Sequence, residues 1–300
     1  MKSFKLIILS VVAVVFVSCG TSNTVPITGR KQTLMVSDGD ILALSTQQYQ
    51  EFMSSAKLST NQTNTAMVKR VGQNLANAVI NYLTAAGLQN DLQYYKWTFN
   101  LVQDKQVNAW CMPGGLICVY EGILPVTQDE ASLAIVLGHE IAHAVARHSA
   151  EQMSTQLKQQ YGLQIGAAVL GGLGMGSNTT SIIQAIAAQG FNFKNLSYSR
   201  NHENEADHMG LIFAAMAGYD PNAALSFWRR MAASNNNQTS EFLSDHPSDA
   251  TRIKNIQGWL PEALKYYKPA VTQKSTTQKA TTTKKTTTTT KKVTTTNKKK

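Results

Sequence analysis

Apolar residues recur at helical spacing along most of this 300-residue chain and alternate with polar ones in one short stretch. The pattern predicts helices over 41–53, 66–86, 203–217, 221–233 and 247–259, and a further one through the apolar run after Thr127-Gln-Asp-Glu130. From 97 to 102, Trp97, Phe99 and Leu101 alternate with polar neighbours and predict a strand. Residues 108–119 flank Gly114-Gly115 and predict an antiparallel hairpin. Residues 20–36 read as an extended lead-in, with Pro26 and Gly29 as breakers. The expected architecture is one α+β unit over 20–265, mainly helical, with a small antiparallel sheet.

The apolar run carries the chemistry. Leu133, Ile135, Val136, Ile141, Ala142 and Val145 make a broad apolar surface, and Arg147 and His148 end the run with cations. Thr127 and Glu130 have capping-box spacing, which predicts Thr127 as N-cap. Mid-run stands His139-Glu140-Ile-Ala-His143. Residues four apart share a helix face, so both imidazoles can aim at one metal ion. Glu140 lies about 100° further round and can reach a water there without being a ligand. The alternative is a chance match of two core histidines and a glutamate. Burying an unpaired glutamate on so apolar a helix is costly, which counts against it.

A catalytic zinc takes three protein ligands. Ser149 occupies the position ten residues after His139, so no third histidine stands there. His148 projects from roughly the opposite side of the helix and reads as a surface or dipole partner. The next metal-capable cluster is Ser199-Arg-Asn-His202-Glu203-Asn-Glu205-Ala-Asp207-His208. On a helix Glu203 and Asp207 share a face, which suits a ligand carboxylate beside one that orients a ligand histidine. Glu205 points elsewhere and reads as a solvated charge; His202 and His208 are candidates on residue type alone.

Composition alters the picture at the ends. The formal charge is +10, but residues 271–300 hold nine lysines and no acid, which leaves +1 for the remainder. A folded part so near neutrality offers no nucleic-acid surface. The Thr/Lys-rich tail, 266–300, reads as disordered, either simply solvated or a spacer that touches anionic envelope polymers or lipid headgroups, or is modified on its threonines. Residues 1–19 read as a lipoprotein signal: Lys2 and Lys5, a twelve-residue apolar stretch from Leu6 to Val17, and Phe16-Val17-Ser18-Cys19 at its end. Twelve residues cannot span a bilayer about 30 Å thick. Lipidation at Cys19 would anchor the chain to an envelope membrane; a plain secretory signal and an uncleaved anchor are the alternatives. If Gly114-Gly115 is a two-residue turn, Cys111 faces Cys118 within disulfide reach, although two free buried thiols fit the sequence equally. The Gly/Ala-rich stretch 165–190, broken by Gly171, Gly172, Gly174 and Gly176, is no membrane span; it suits close-packed helices or a mobile cover over the site.

The helix motif, the upstream Asn108-Ala-Trp-Cys-Met-Pro-Gly-Gly segment and the downstream Tyr198-Ser-Arg-Asn-His-Glu-Asn-Glu-Ala-Asp207 segment together resemble the HtpX / CAAX prenyl protease family of zinc peptidases. The likeness is to its soluble envelope lipoproteins, of the LoiP and BepA type. It implies a zincin-like domain with one Zn2+ per chain, held by His139, His143 and Glu203, with Glu140 as general base and Asp207 supporting a ligand histidine. It implies a peptide-binding edge strand at Asn108 and Ala109, although Asn108 also suits an ordinary turn. It places His246-Pro247 near the cleft, where His246 either stabilises the oxyanion, reversibly blocks the zinc or packs at a helix start. The family's membrane-embedded members carry spans that this chain lacks beyond residue 19. About forty residues follow Leu260, too few for a BepA-type repeat array. The expected activity is endoproteolysis of misfolded or stalled proteins at the bacterial envelope, facing the periplasm, at the outer rather than the inner membrane. The rivals are a latent-protease chaperone or assembly factor for outer-membrane proteins, and a tail-mediated envelope binder with a dead site.

Overall fold

A polar side chain stands before each of the first two long helices and sets where it starts. In α1 (Asp38–Ser55), the Ser37 hydroxyl accepts from the Asp40 backbone N–H, and Asp38 and Asp40 line the first turn. In α2 (Gln62–Ala85), Asn61 caps by accepting from the Asn64 N–H. The computed structural model describes residues 21–170, 184, 187, 188, 190–234, 242, 246 and 250–268. The leader with Cys19, most of the Gly/Ala-rich stretch, Pro247 and the Thr/Lys tail from 269 onward lie outside them. Ahead of α1, the lead-in forms a hairpin, with β1 (Thr21–Thr24) antiparallel to β2 (Lys31–Leu34).

A second sheet comprises β3 (Thr98–Val102), β4 (Ala109–Met112) and β5 (Leu116–Tyr120), in the order β3–β5–β4. The β4–β5 hairpin is antiparallel as expected, but β3 runs parallel to β5, so this sheet is mixed. The hairpin loop takes three residues, 113–115, rather than two. Gly114 and Gly115 sit at φ 90° and 78°, and a Cβ on Gly115 would come 2.4 Å from the Trp97 ring. Cys111 therefore pairs with Ile117, and Cys118 with Trp110. A one-residue slip sends side chains to opposite faces. Cys111 joins the core under the motif helix, Cys118 joins a second core across the sheet, and both are buried free thiols. The cross-strand disulfide is thereby excluded.

The motif helix, α3 (Glu130–Val145), is not capped by Thr127. Pro125 helps to start a short helical turn, Leu124–Thr127, and the Thr127 hydroxyl donates to the Leu124 carbonyl at its end. Gln128 breaks the path at φ 68°, and Asp129 then caps α3 by accepting from the Ser132 N–H at 2.6 Å. Glu130 pairs with Arg70 instead of reaching back. Every residue from Ser132 to Val145 is buried, as expected of a helix apolar all round. Its end also departs from the sequence pattern: Arg147 takes φ 56°, and His148 opens a new helix, α4 (His148–Leu170).

α5 (Arg200–Met216), capped by Ser199, packs across α3. Gly138 and Gly210 meet where they cross. A Cβ on Gly138 would lie 2.8 Å from the Gly210 carbonyl oxygen, and one on Gly210 would lie 2.7 Å from the His139 nitrogen. The backbones therefore approach closely, and side chains on either flank face one another. α6 (Ala223–Ser234) and α7 (Ala250–Ala263) complete the main core with α2, α3, α5 and one sheet face. The second core joins α1, the start of α4, Phe191 and Phe193 over the other face. Among the described residues no helix is long and apolar enough to cross a membrane.

Candidate active site

The close crossing of α3 and α5 brings two imidazoles and a carboxylate to one point. His139 Nε2 lies 3.0 Å from His143 Nε2, and each is 3.4 Å from a Glu203 oxygen. His246 Nδ1 is 3.1 Å from His139 Nε2 and 3.0 Å from Glu203 Oε1. One candidate ligand atom from each of these four residues lies within 4.8 Å of the others. None of the four is more than 5% exposed.

Hydrogen-bond partners dictate which nitrogens are bare. The His139 Nδ1 is 2.9 Å from Asp207 Oδ1, and the carboxylate is gripped by Arg252 through Nε and Nη2, both at 2.7 Å. So clamped, Asp207 can only accept, so the Nδ1 proton belongs to His139, and in the neutral tautomer its Nε2 carries the lone pair. Arg252 Nη2 also approaches His139 Nδ1 at 3.2 Å, but its shorter partner is Asp207. Lone pairs and a carboxylate crowded at 3.0–3.4 Å repel unless a cation sits among them. The donor set therefore fits a divalent metal.

Burial disfavours the Glu203 charge, but His246, His139 and His143 outweigh it and hold the carboxyl far below its usual range. Burial also opposes charge on His139, yet the hydrogen bonds it donates to Asp207 and Glu203 push it up to about 9, so a metal at Nε2 would take the place of a second proton there. His143 has no comparable support, so burial drives it well down and keeps it neutral. Asp207 is held low because Arg252 and His139 overcome its burial. Arg252 is itself fixed, its guanidinium 3.5 Å over the Trp228 ring.

Glu140 stands beside this cluster. It is 3% exposed, and burial pushes its carboxyl up against the pull of His246 and His139. The Cys111 backbone hydrogen-bonds it, while Oε1 makes no hydrogen bond and lies 3.5 Å from His246 Nε2. An unpartnered carboxylate oxygen at such a place can accept a proton from a reacting water.

Asn108 leads into β4 and Ala109 opens it, at the edge of the mixed sheet beside α3. Both are buried, and the Asn108 side chain turns back to accept from the Ala109 N–H at 2.8 Å. His202 stacks on His148 at 4.4 Å, and His208 bonds Glu262 at 2.7 Å.

Two expectations are overturned. His148 is neither on the surface nor on the far side; the break at Arg147 swings it back, fully buried, 2.8 Å from His143 Nδ1. Glu205 is no solvated charge, for it is buried against His148, Thr28 and Arg30. Nothing in the sequence distinguishes Arg252, Arg30 and Glu151 from surface charges. Tyr198, whose ring stacks on His143 at 4.2 Å, closes the same side.

A buried His-Glu-x-x-His helix that shares its metal point with a glutamate on a crossing helix defines a zincin-like metallopeptidase domain. The chain belongs to Peptidase family M48, whose sequence profile matches residues 62–260. It is 38% identical over 187 residues to the mitochondrial metalloendopeptidase OMA1 of Schizosaccharomyces pombe, covering 62% of this chain and 52% of that one. It is 29% identical over 246 residues to the OMA1 metalloendopeptidase of Homo sapiens, covering 80% and 46%. It is 27% identical over 261 residues to the metalloprotease LoiP of Escherichia coli, covering 86% and 96%. The chain thus spans about half the length of the OMA1 relatives and nearly all of LoiP.

Proposed function

We propose that this protein is a zinc-dependent endopeptidase of the bacterial cell envelope. The observation that carries the reading is Glu140, whose unpartnered oxygen stands next to the convergence of His139, His143 and Glu203. Zinc held by those three, one per chain, would polarise the scissile carbonyl and acidify the attacking water. Glu140 takes the water's proton as the carbon–oxygen bond forms, then delivers it to the leaving amine as the carbon–nitrogen bond breaks. Asp207, clamped by Arg252, keeps His139 in the tautomer that binds. In this reading His246, 3.5 Å from Glu140 through Nε2, donates to the oxyanion. An extended substrate adds along β4 at Asn108 and Ala109. The substrates in this reading are misfolded or stalled envelope proteins. Likeness to the metalloprotease LoiP over nearly its whole length supports the peptidase assignment; in the same reading the chain is an HtpX-like lipoprotein, anchored through Cys19 and facing the periplasm, at the outer membrane. The 266–300 tail is a solvated extension in the same reading.

The test uses protein lacking residues 1–19. The wild type is expected to bind one zinc and cleave an unfolded protein, and Glu140→Gln to keep the zinc and lose cleavage. Equal cleavage by both would move the chemistry elsewhere, and zinc without cleavage by either would sink the enzyme reading.

One observation favours a second reading, a chaperone or assembly factor with latent proteolysis. His246 lies among the ligand atoms, and the four-residue cluster is closed to solvent. His246→Ala separates the two. An oxyanion donor predicts a fall in kcat with zinc retained, whereas a blocking residue predicts a rise.

A further inference from the structure

Both histidines of the motif make a hydrogen bond through Nδ1, but to different groups. His139 meets a carboxylate directly. His143 meets another imidazole, His148, at 2.8 Å, and His148 Nε2 lies 3.0 Å from Glu205 Oε2. Glu205 in turn takes the Thr28 hydroxyl and the Arg30 Nε at 2.8 Å. The other two guanidinium nitrogens of Arg30 bind Glu151 at 2.9 and 2.7 Å. Thr28 and Arg30 belong to the turn between β1 and β2, outside residues 62–260 of the family match.

Proton order along this chain follows from the ends inward. Glu205, bonded to a cation and a hydroxyl, only accepts, so the proton between it and His148 sits on His148 Nε2. Full burial disfavours a second proton on His148, so with Nε2 protonated its Nδ1 is a lone pair. The proton between the two Nδ1 atoms must then be on His143, and His143 Nε2 is left bare toward His139 and Glu203. The opposite tautomer would set two lone pairs against each other at 2.8 Å. Arg30 matters because its fork neutralises Glu205 and Glu151 together. Its turn is fixed too. Ile27, at φ 67°, donates its N–H to Tyr82 Oη at 3.0 Å, and the Met35 N–H is held by Ser154.

We propose that Arg30, Thr28, Glu205 and His148 form a positioning relay that locks His143 with Nε2 aimed at the metal, so that the N-terminal hairpin is a working part of the metal site. This rests on the reading of His143 as a ligand. The relay residues touch no substrate and act through His143 alone.

The experiment measures zinc affinity of the full chain by chelator competition, with far-UV circular dichroism and thermal melting in parallel. His148→Phe is expected to weaken zinc by about ten- to a hundredfold. His148→Gln, which keeps one acceptor and one donor, is expected to recover part of that loss. Arg30→Met, at a partly exposed position, is expected to weaken zinc severalfold with secondary structure intact, and stands in if His148→Phe does not fold. In the zinc-bound wild type, histidine 15N NMR is expected to show the His143 proton on Nδ1. Zinc affinity unchanged in folded His148→Phe or Arg30→Met, equal loss in the Phe and Gln variants, or a His143 proton on Nε2 would each overturn the relay. A wild-type chain that binds no zinc would instead take down the ligand reading and the relay with it.

Discussion

Arg252 shows how much of a candidate metal site is decided by a residue no motif contains. It lies 45 positions from Asp207, on a different helix, yet it makes two 2.7 Å hydrogen bonds to that carboxylate. Removing one partner of a buried ion pair costs about 3–5 kcal/mol, because the other charge stays buried. Arg252→Met is therefore expected to lower unfolding free energy by that amount in urea titrations of the metal-free chain. Zinc affinity is expected to fall with it, since an Asp207 that protonates no longer orders His139. Asp207→Asn keeps shape and loses charge, so a milder fall in both is expected. Equal stability of wild type and Arg252→Met would show that the clamp is not formed in solution.

At the scale of elements, glycine sets the distance between the helices that carry the proposed ligands. Gly138→Ala would place a methyl group 2.8 Å from the Gly210 carbonyl oxygen, and neither backbone can yield without moving its helix. Overpacking of this kind costs about 1–3 kcal/mol. The sharper consequence is a shift of Glu203 away from the histidines, so Gly138→Ala is expected to lower bound zinc per chain, read by metal analysis, even where it remains folded. The start of α3 offers a cleaner contrast. Asp129→Ala is expected to cost about 1 kcal/mol in thermal unfolding and Thr127→Ala distinctly less, because only Asp129 satisfies a helix N–H. The three-residue loop between β4 and β5 makes a third case. Alkylation after denaturation without reductant should label both Cys111 and Cys118, and protection of either would contradict the register.

The whole molecule is tied together by charge across long sequence separations. Arg30 bonds Glu205 over 175 positions and Glu151 over 121. Burial works against both carboxyls, but His148 with Thr28 and Arg30 holds Glu205 at about 2, and His202 with Arg30 holds Glu151 at about 2. Folded values below the ordinary 4.5 mean that this stability is complete above that pH and is lost as pH falls toward 2. His148 acts in the same direction. Burial lowers it from 6.5 to about 4, so the folded state loses ground to the unfolded one as pH falls through that interval. Urea midpoints are expected to drop steadily from pH 7 to pH 3, with Arg30→Met showing a shallower dependence below pH 5. A flat profile in the wild type would mean that the network does not hold in water.

What the sequence determined is local in origin. The i, i+4 spacing of His139 and His143, the apolar run that buries them, and the matching spacing of Glu203 and Asp207 all follow from helix geometry. Each was legible because a helix fixes the relative direction of side chains a turn apart. The alternation at Trp97, Phe99 and Leu101 was legible for the corresponding reason in a strand. Tertiary structure decided whatever depends on how elements meet. A left-handed residue at Arg147 returned His148 to His143, one extra loop residue parted Cys111 from Cys118, and two glycines let α3 and α5 cross close enough for Glu203 to join the histidines. The partners of buried charges, Arg252 for Asp207 and Arg30 for Glu205, belong to the same class. A charged residue in a sequence looks the same whether water or a buried counter-charge will neutralise it, and only packing distinguishes the two.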